Sequence, residues 1–239
     1  DTNGLVSARD SSCLKSESDE WTTTLITAFR KIGVELNPSS SLYSRQKVGF
    51  DALDCGIKVD TNGAKVLGVP NGNSAYNKEK ARKRLKASYA IMERLPELDP
   101  FIAVKLLRLC VNQRPVFLAR NMPTDDFAEI AAEWDAATEI CIRRILHATP
   151  ETPINPRWYL RGDGGLDITM LSKDRFAMHY QCWVQSCLTC DEMGPELREL
   201  TDCNRDTIHP VIAEIRSCYD RLPEETREIA IPPEKHPRL

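Results

Sequence analysis

Between Gly72 and Pro96 the chain runs twenty-three residues with neither glycine nor proline. Ala81, Leu85, Tyr89, Met92 and Leu95 recur in it at a three-to-four spacing. That period fits one apolar face of a helix and no strand. Lys78, Lys80, Arg82, Lys83, Arg84 and Lys86 crowd its first half, and Arg94 closes it. A long basic helix is therefore the element around which the rest must be arranged.

The chain before this helix reads as short strands. Lys65 to Val69 makes a strand between glycine turns, stopped by Pro70 and Gly72. Leu53 to Val59 is expected to pair with it as a hairpin across Asp60-Thr-Asn-Gly63, because Asn-Gly suits a turn with positive φ. Further upstream, Trp21, Leu25, Ala28, Phe29 and Ile32 share one side of a helix predicted from Glu20 to Ile32. Gly33 is its C-cap, Val34 to Leu36 a short strand, and Asn37 to Ser41 a turn. Asp1 to Asp19, short of apolar residues, is expected as an exposed loop.

The chain beyond Pro96 reads as helical. Asp99-Pro100 supplies an N-cap and a first-turn proline. The helix from Pro100 to Val111 is apolar almost all round and is expected to be buried. Thr124 is expected to cap the next helix, with Phe127, Ile130, Trp134, Ala137, Cys141 and Ile145 inward and Glu129, Glu133 and Glu139 outward. Another helix opens at Ser172 or Asp174 and runs through Cys190. A last one starts near Pro195, is interrupted by Pro210 and resumes through Tyr219, before a proline-rich tail. The fold class is α+β. Residues 1–72 form a β-containing segment, 73–148 a helical region, 149–221 a helical extension and 222–239 a tail.

Charge divides along the same lines. The chain is −3 overall. From Lys78 to Arg120 eleven bases meet four acids, a local +7 that leaves −10 elsewhere. Such a dipolar chain can hold an anion on one face and a protein on another. The nine cysteines lack the dense spacing of a disulfide scaffold and read as reduced thiols in an intracellular protein. No window is long and apolar enough to span a membrane. His179, Cys182, Cys187 and Cys190 are a candidate zinc set, but their spacing is irregular and core packing explains them more simply.

Four stretches, in order, resemble the rear half of a retroelement-type reverse transcriptase, the end of the palm followed by the thumb. They are Asp1-Thr-Asn-Gly-Leu-Val6, Phe29-Arg-Lys-Ile-Gly-Val-Glu-Leu-Asn-Pro-Ser-Ser40, Lys65-Val-Leu-Gly-Val-Pro-Asn-Gly72 and Leu160-Arg-Gly-Asp-Gly-Gly-Leu-Asp-Ile168. Between the last two, Leu106 to Cys110 and Trp134-Asp135 sit where that family has an apolar helix and an aromatic–aspartate pair. The resemblance implies a palm remnant at 1–72 and a thumb from 73, whose basic helix lies along template–primer phosphates. It names Lys78, Lys80, Arg82, Lys83, Arg84, Lys86 and Arg94 as nucleic-acid contacts.

The departures limit the chemistry. Polymerases of this kind align two Mg²⁺ ions on carboxylates. The strand bearing the first carboxylate is not in this chain, only Asp1 of the Asp-Asp turn is present, and Ser40 stands where the family has a lysine. The chain is therefore not expected to polymerise alone, and Mg²⁺ enters only if it belongs to a larger active enzyme. The leading expectation is a non-catalytic module binding RNA or a nucleic-acid duplex. The alternatives are a structural subunit of a ribonucleoprotein or mitochondrial assembly, held by protein contacts, and a fragment of an active RNA-directed DNA polymerase.

Overall fold

The computed structural model describes residues 11–33, 41–43, 52–54, 56–149, 151–153, 155–159, 165–192, 205–230 and 232. Side chains of 11–14, 41–43, 156–157, 187–192 and 205–212 fall outside that description. The fold is α+β, mainly helical, with a β-hairpin. Its contacts divide the chain into two units, Asp1–Lys80 and Ala81–Leu239.

In the first unit, helix α1 spans Ser11–Lys31. It begins inside the stretch expected to be a loop. It buries Ser18 and Thr22 and half-buries Leu25 and Phe29 of the expected apolar side, while Trp21, Ala28 and Ile32 of that side are exposed, so the packed side is only partly the expected one. The packed side faces the segment around Asp54: Asp19 accepts from the Asp54 amide at 2.8 Å, and Lys15 Nζ reaches Asp54 Oδ1 at 2.6 Å. Gly33 closes the helix with φ +76°, as a C-cap glycine should.

Strands β1 (Ser41–Tyr43) and β2 (Lys58–Asp60) pair in parallel. Strands β3 (Gly63–Val66) and β4 (Val69–Gly72) form the antiparallel hairpin, turning at Leu67-Gly68. The expected hairpin across Asp60–Gly63 is therefore corrected. Leu67 and Gly68 both take positive φ, +49° and +89°, the pattern of a two-residue hairpin turn. Asp60 instead makes a side-chain turn, accepting from the Asn62 amide at 2.8 Å. Gly63 and Gly72 face each other, and a Cβ on Gly63 would lie 2.8 Å from Gly72 Cα and collide with the Tyr76 ring. Both positions therefore require glycine.

Helix α2 spans Ser74–Arg94 and crosses from the first unit into the second. Asn73 caps it, its Oδ1 accepting from the Tyr76 amide at 2.8 Å.

The second unit is a helical packing. It contains α3 (Pro100–Leu106), α4 (Val116–Asn121), α5 (Thr124–Ile145), α6 (Leu171–Glu192), α7 (Arg205–Asp220) and α8 (Glu224–Ile229). A π-turn at Leu107–Val111 extends α3, with the Asn112 amide reaching back to Leu107 O at 2.8 Å. α5 is the central column. Phe127, Ile130, Trp134, Cys141 and Ile145 are buried as expected, joined by Ala131, Thr138 and Ile142. Tyr180 of α6, Ile215 and Cys218 of α7 and Leu222 just beyond it form a second cluster.

Three expectations are corrected here. α3 is not buried all round: Ala103, Leu107 and Val111 face inward, whereas Phe101, Ile102, Leu106 and Leu109 are exposed. α7 runs through Pro210 without a break. The tail contributes α8, which opens after Pro223 with Glu224 and Glu225 in its first turn. Two caps also come from other helices. Thr124 does not cap α5 by its own side chain; its amide and hydroxyl donate to Glu214 of α7 at 2.7 and 3.2 Å. Asp135 of α5 accepts from the first α6 amides, Leu171 at 2.9 Å and Ser172 at 2.8 Å. Asp135→Ala should therefore cost about 1–2 kcal/mol, read as a lowered urea midpoint with unchanged slope.

Candidate nucleic-acid interface

Successive residues of a helix advance by about 100°. In the second unit Ala81, Leu85, Ser88 and Met92 fill the buried side of α2. The opposite side carries Lys83, Lys86, Ala87, Ala90, Glu93 and Arg94, all exposed. The alanines keep the surface low between two lysines at one end and an arginine at the other. Lys83 and Arg94 are eleven residues apart, about 16 Å along the axis. Among the described residues, Lys83, Lys86 and Arg94 make no ion pair.

The other basic residues named from sequence are placed differently. Arg82 forks onto two carboxylates of α5: its Nη2 lies 2.6 Å from Glu129 Oε1 and 2.6 Å from Glu133 Oε1, and its Nε 3.1 Å from Glu133 Oε2. Those hydrogen bonds raise its pKa further above the ordinary guanidinium value. Arg82 thus fastens α2 to α5. Arg84 lies over the Phe117 ring of α4, 4.9 Å from its centroid. In the first unit Lys80 sits over Tyr76, 5.1 Å from the ring centroid, and 3.1 Å from Glu79 Oε1; that hydrogen bond raises the Lys80 pKa. Lys78 is half-buried.

The Arg82 fork is half-exposed and correspondingly screened. A double-mutant cycle of Arg82→Ala with Glu133→Ala should give a coupling of about 1 kcal/mol, falling in 1 M salt.

Behind this surface the packing is firm. Tyr89 of α2 meets Trp134 of α5 with ring centroids 5.2 Å apart. Trp134 donates Nε1–H to Asn112 Oδ1 at 2.9 Å, and Asn112 Nδ2 reaches Thr169 O at 3.2 Å. Cys141 Sγ lies 3.4 Å from Met92 O, and burial pushes its thiol up to about 11. Sequence reasoning missed Asn112; its position after an apolar helix gave no signal of a buried bridge.

Among the described residues no three His, Cys, Asp or Glu side chains gather to hold a metal. His179 is buried, 3.8 Å from Glu214 Oε1, and burial holds its pKa below the usual imidazole value. Cys182 Sγ lies 3.8 Å from Asn121 Oδ1, and the side chains of Cys187 and Cys190 fall outside the described residues. So do Asp1–Val6, Val34–Ser40, most of the turn before Gly165, and the segment at Pro195. No described helix is long and apolar enough to cross a membrane. No protein-family model, curated protein or solved structure matches the chain.

Proposed function

We propose that this chain is a non-catalytic, reverse-transcriptase-derived module that binds RNA or a nucleic-acid duplex through its phosphates. The observation that carries the reading is the outer side of α2 in the second unit: Lys83, Lys86 and Arg94 exposed on one line, with Ala87 and Ala90 between them. Flexible cations on a low surface suit phosphate contact, which positions a nucleic acid without reading its sequence. The order along the sequence of the stretches that resemble palm and thumb supports the same origin. Arg82 does not belong to this surface, since its charge is met by Glu129 and Glu133. That pairing lies within the chain and leaves the alternative, a subunit held by protein contacts, to the binding test. Reversing Lys83 and Lys86 together and titrating an RNA duplex separates the two: the first reading requires binding that the reversal weakens.

A further inference from the structure

We propose that His179 is an acid-operated latch between α7 and the rest of the second unit: on taking up a proton it releases α7 and uncaps α5. The side chain belongs to α6, is 5% exposed, and lies where α4, α5 and α7 come against that helix. Its Nε2 is 3.8 Å from Glu214 Oε1 of α7. The same oxygen accepts from the Thr124 amide at 2.7 Å and hydroxyl at 3.2 Å, at the start of α5. From the end of α4 the Ala119 and Arg120 carbonyls approach the ring. Nδ1 is buried and, among the described residues, has no partner.

This corner suits the neutral ring. A charged ring carries a proton on both nitrogens, and the one on Nδ1 has no acceptor there, so its burial is costly. The carboxylate that could draw the imidazolium is already the cap of α5. Burial outweighs the pull of Glu214 and of the two carbonyls, and holds the imidazole below its ordinary value. The other charges of the corner are Arg175 of α6, Asp125 of α5 and Arg221 after α7. Cys218 of α7, pushed up to about 11 by burial, stays a neutral thiol. In an opened chain His179 titrates near its ordinary value of about 6.5, and in the packed chain lower. The latch therefore holds fully above about pH 6.5. Below it the opened fraction rises about tenfold per pH unit, until the packed ring itself titrates. Opening bares Tyr180, Ile215 and Cys218, whose packing joins α6 to α7.

Hydrogen exchange of the full chain at about pH 7 and about pH 5.5, corrected for the intrinsic rate, tests this. Amides of α7 and of the first turns of α5 should lose protection about tenfold at the lower pH. His179→Gln keeps a hydrogen-bonding group but cannot titrate, so it should abolish the pH dependence, whatever it does to protection at either pH. His209→Gln, on α7 itself, should leave the dependence as in the wild type. A wild type without the dependence, or a dependence that survives His179→Gln, overturns the proposal. Should the glutamine variant fail to fold, titration of the wild-type imidazoles by NMR decides. A His179 ring that titrates below about 6.5 in the folded chain sustains the latch, and one that titrates at or above it overturns it.

Discussion

Trp134→Ala is expected to be the most destabilising single change in the second unit. The indole is fully buried at the centre of α5, packed at a tilt against Tyr89, and its N–H is held by Asn112. Truncation removes the apolar burial and opens a cavity, together about 3–5 kcal/mol. It also leaves Asn112 Oδ1 without its donor inside the protein, an added cost of about 1–3 kcal/mol. Domains of this kind are stable by only about 5–15 kcal/mol, so the variant should unfold partly at physiological temperature. Urea titration followed by far-UV circular dichroism measures it. Trp134→Phe should recover part of the loss, because it keeps a six-membered ring in the site while giving up the N–H and part of the indole volume. A change below about 1 kcal/mol for the alanine variant would mean that the column through α5 is not what orders the unit.

Lys83→Glu with Lys86→Glu is expected to have the largest effect on binding. Both side chains are exposed on the outer side of α2, away from the buried line through Ala81, Leu85, Ser88 and Met92. Stability should therefore change by no more than about 0.5 kcal/mol. Affinity for an RNA duplex at low salt should fall on the order of a hundredfold, since two attractive contacts become repulsive. Arg82→Ala is the informative contrast. It removes a positive charge from the same helix, yet that charge is already met by Glu129 and Glu133. Its binding loss should be small beside that of the double reversal.

Much of this architecture is legible in the sequence, because long helices with an unbroken period announce themselves. α2 and α5 fall where their apolar spacing puts them, and Phe127, Ile130 and Trp134 are buried as expected. α3 shows the limit of the same signal. A helix apolar on every side does not state which side the fold will use, and here only Ala103, Leu107 and Val111 are taken inward. The hairpin misled for a local reason. Asn62-Gly63 is the stronger turn signal, since leucine at positive φ is unfavourable, yet the chain turns at Leu67-Gly68. Gly63 is needed instead for its lack of a side chain beneath Tyr76. The distinction between bound and available cations was beyond the sequence altogether. Arg82 and Lys83 are neighbours in one basic run, but a step of about 100° turns one onto α5 and the other outward. Only the partners, forty-seven and fifty-one residues away, decide which charge is left for a ligand.

The most direct measurement is the salt dependence of RNA-duplex binding by the wild-type chain and by the Lys83→Glu, Lys86→Glu variant. Phosphate contacts release counterions, so log K should fall linearly with log salt, and removing each contact should flatten the line by about one. The account predicts a steep slope for the wild type and one shallower by about two for the variant. Two parallel lines, or a wild type that shows no binding at low salt, would contradict it.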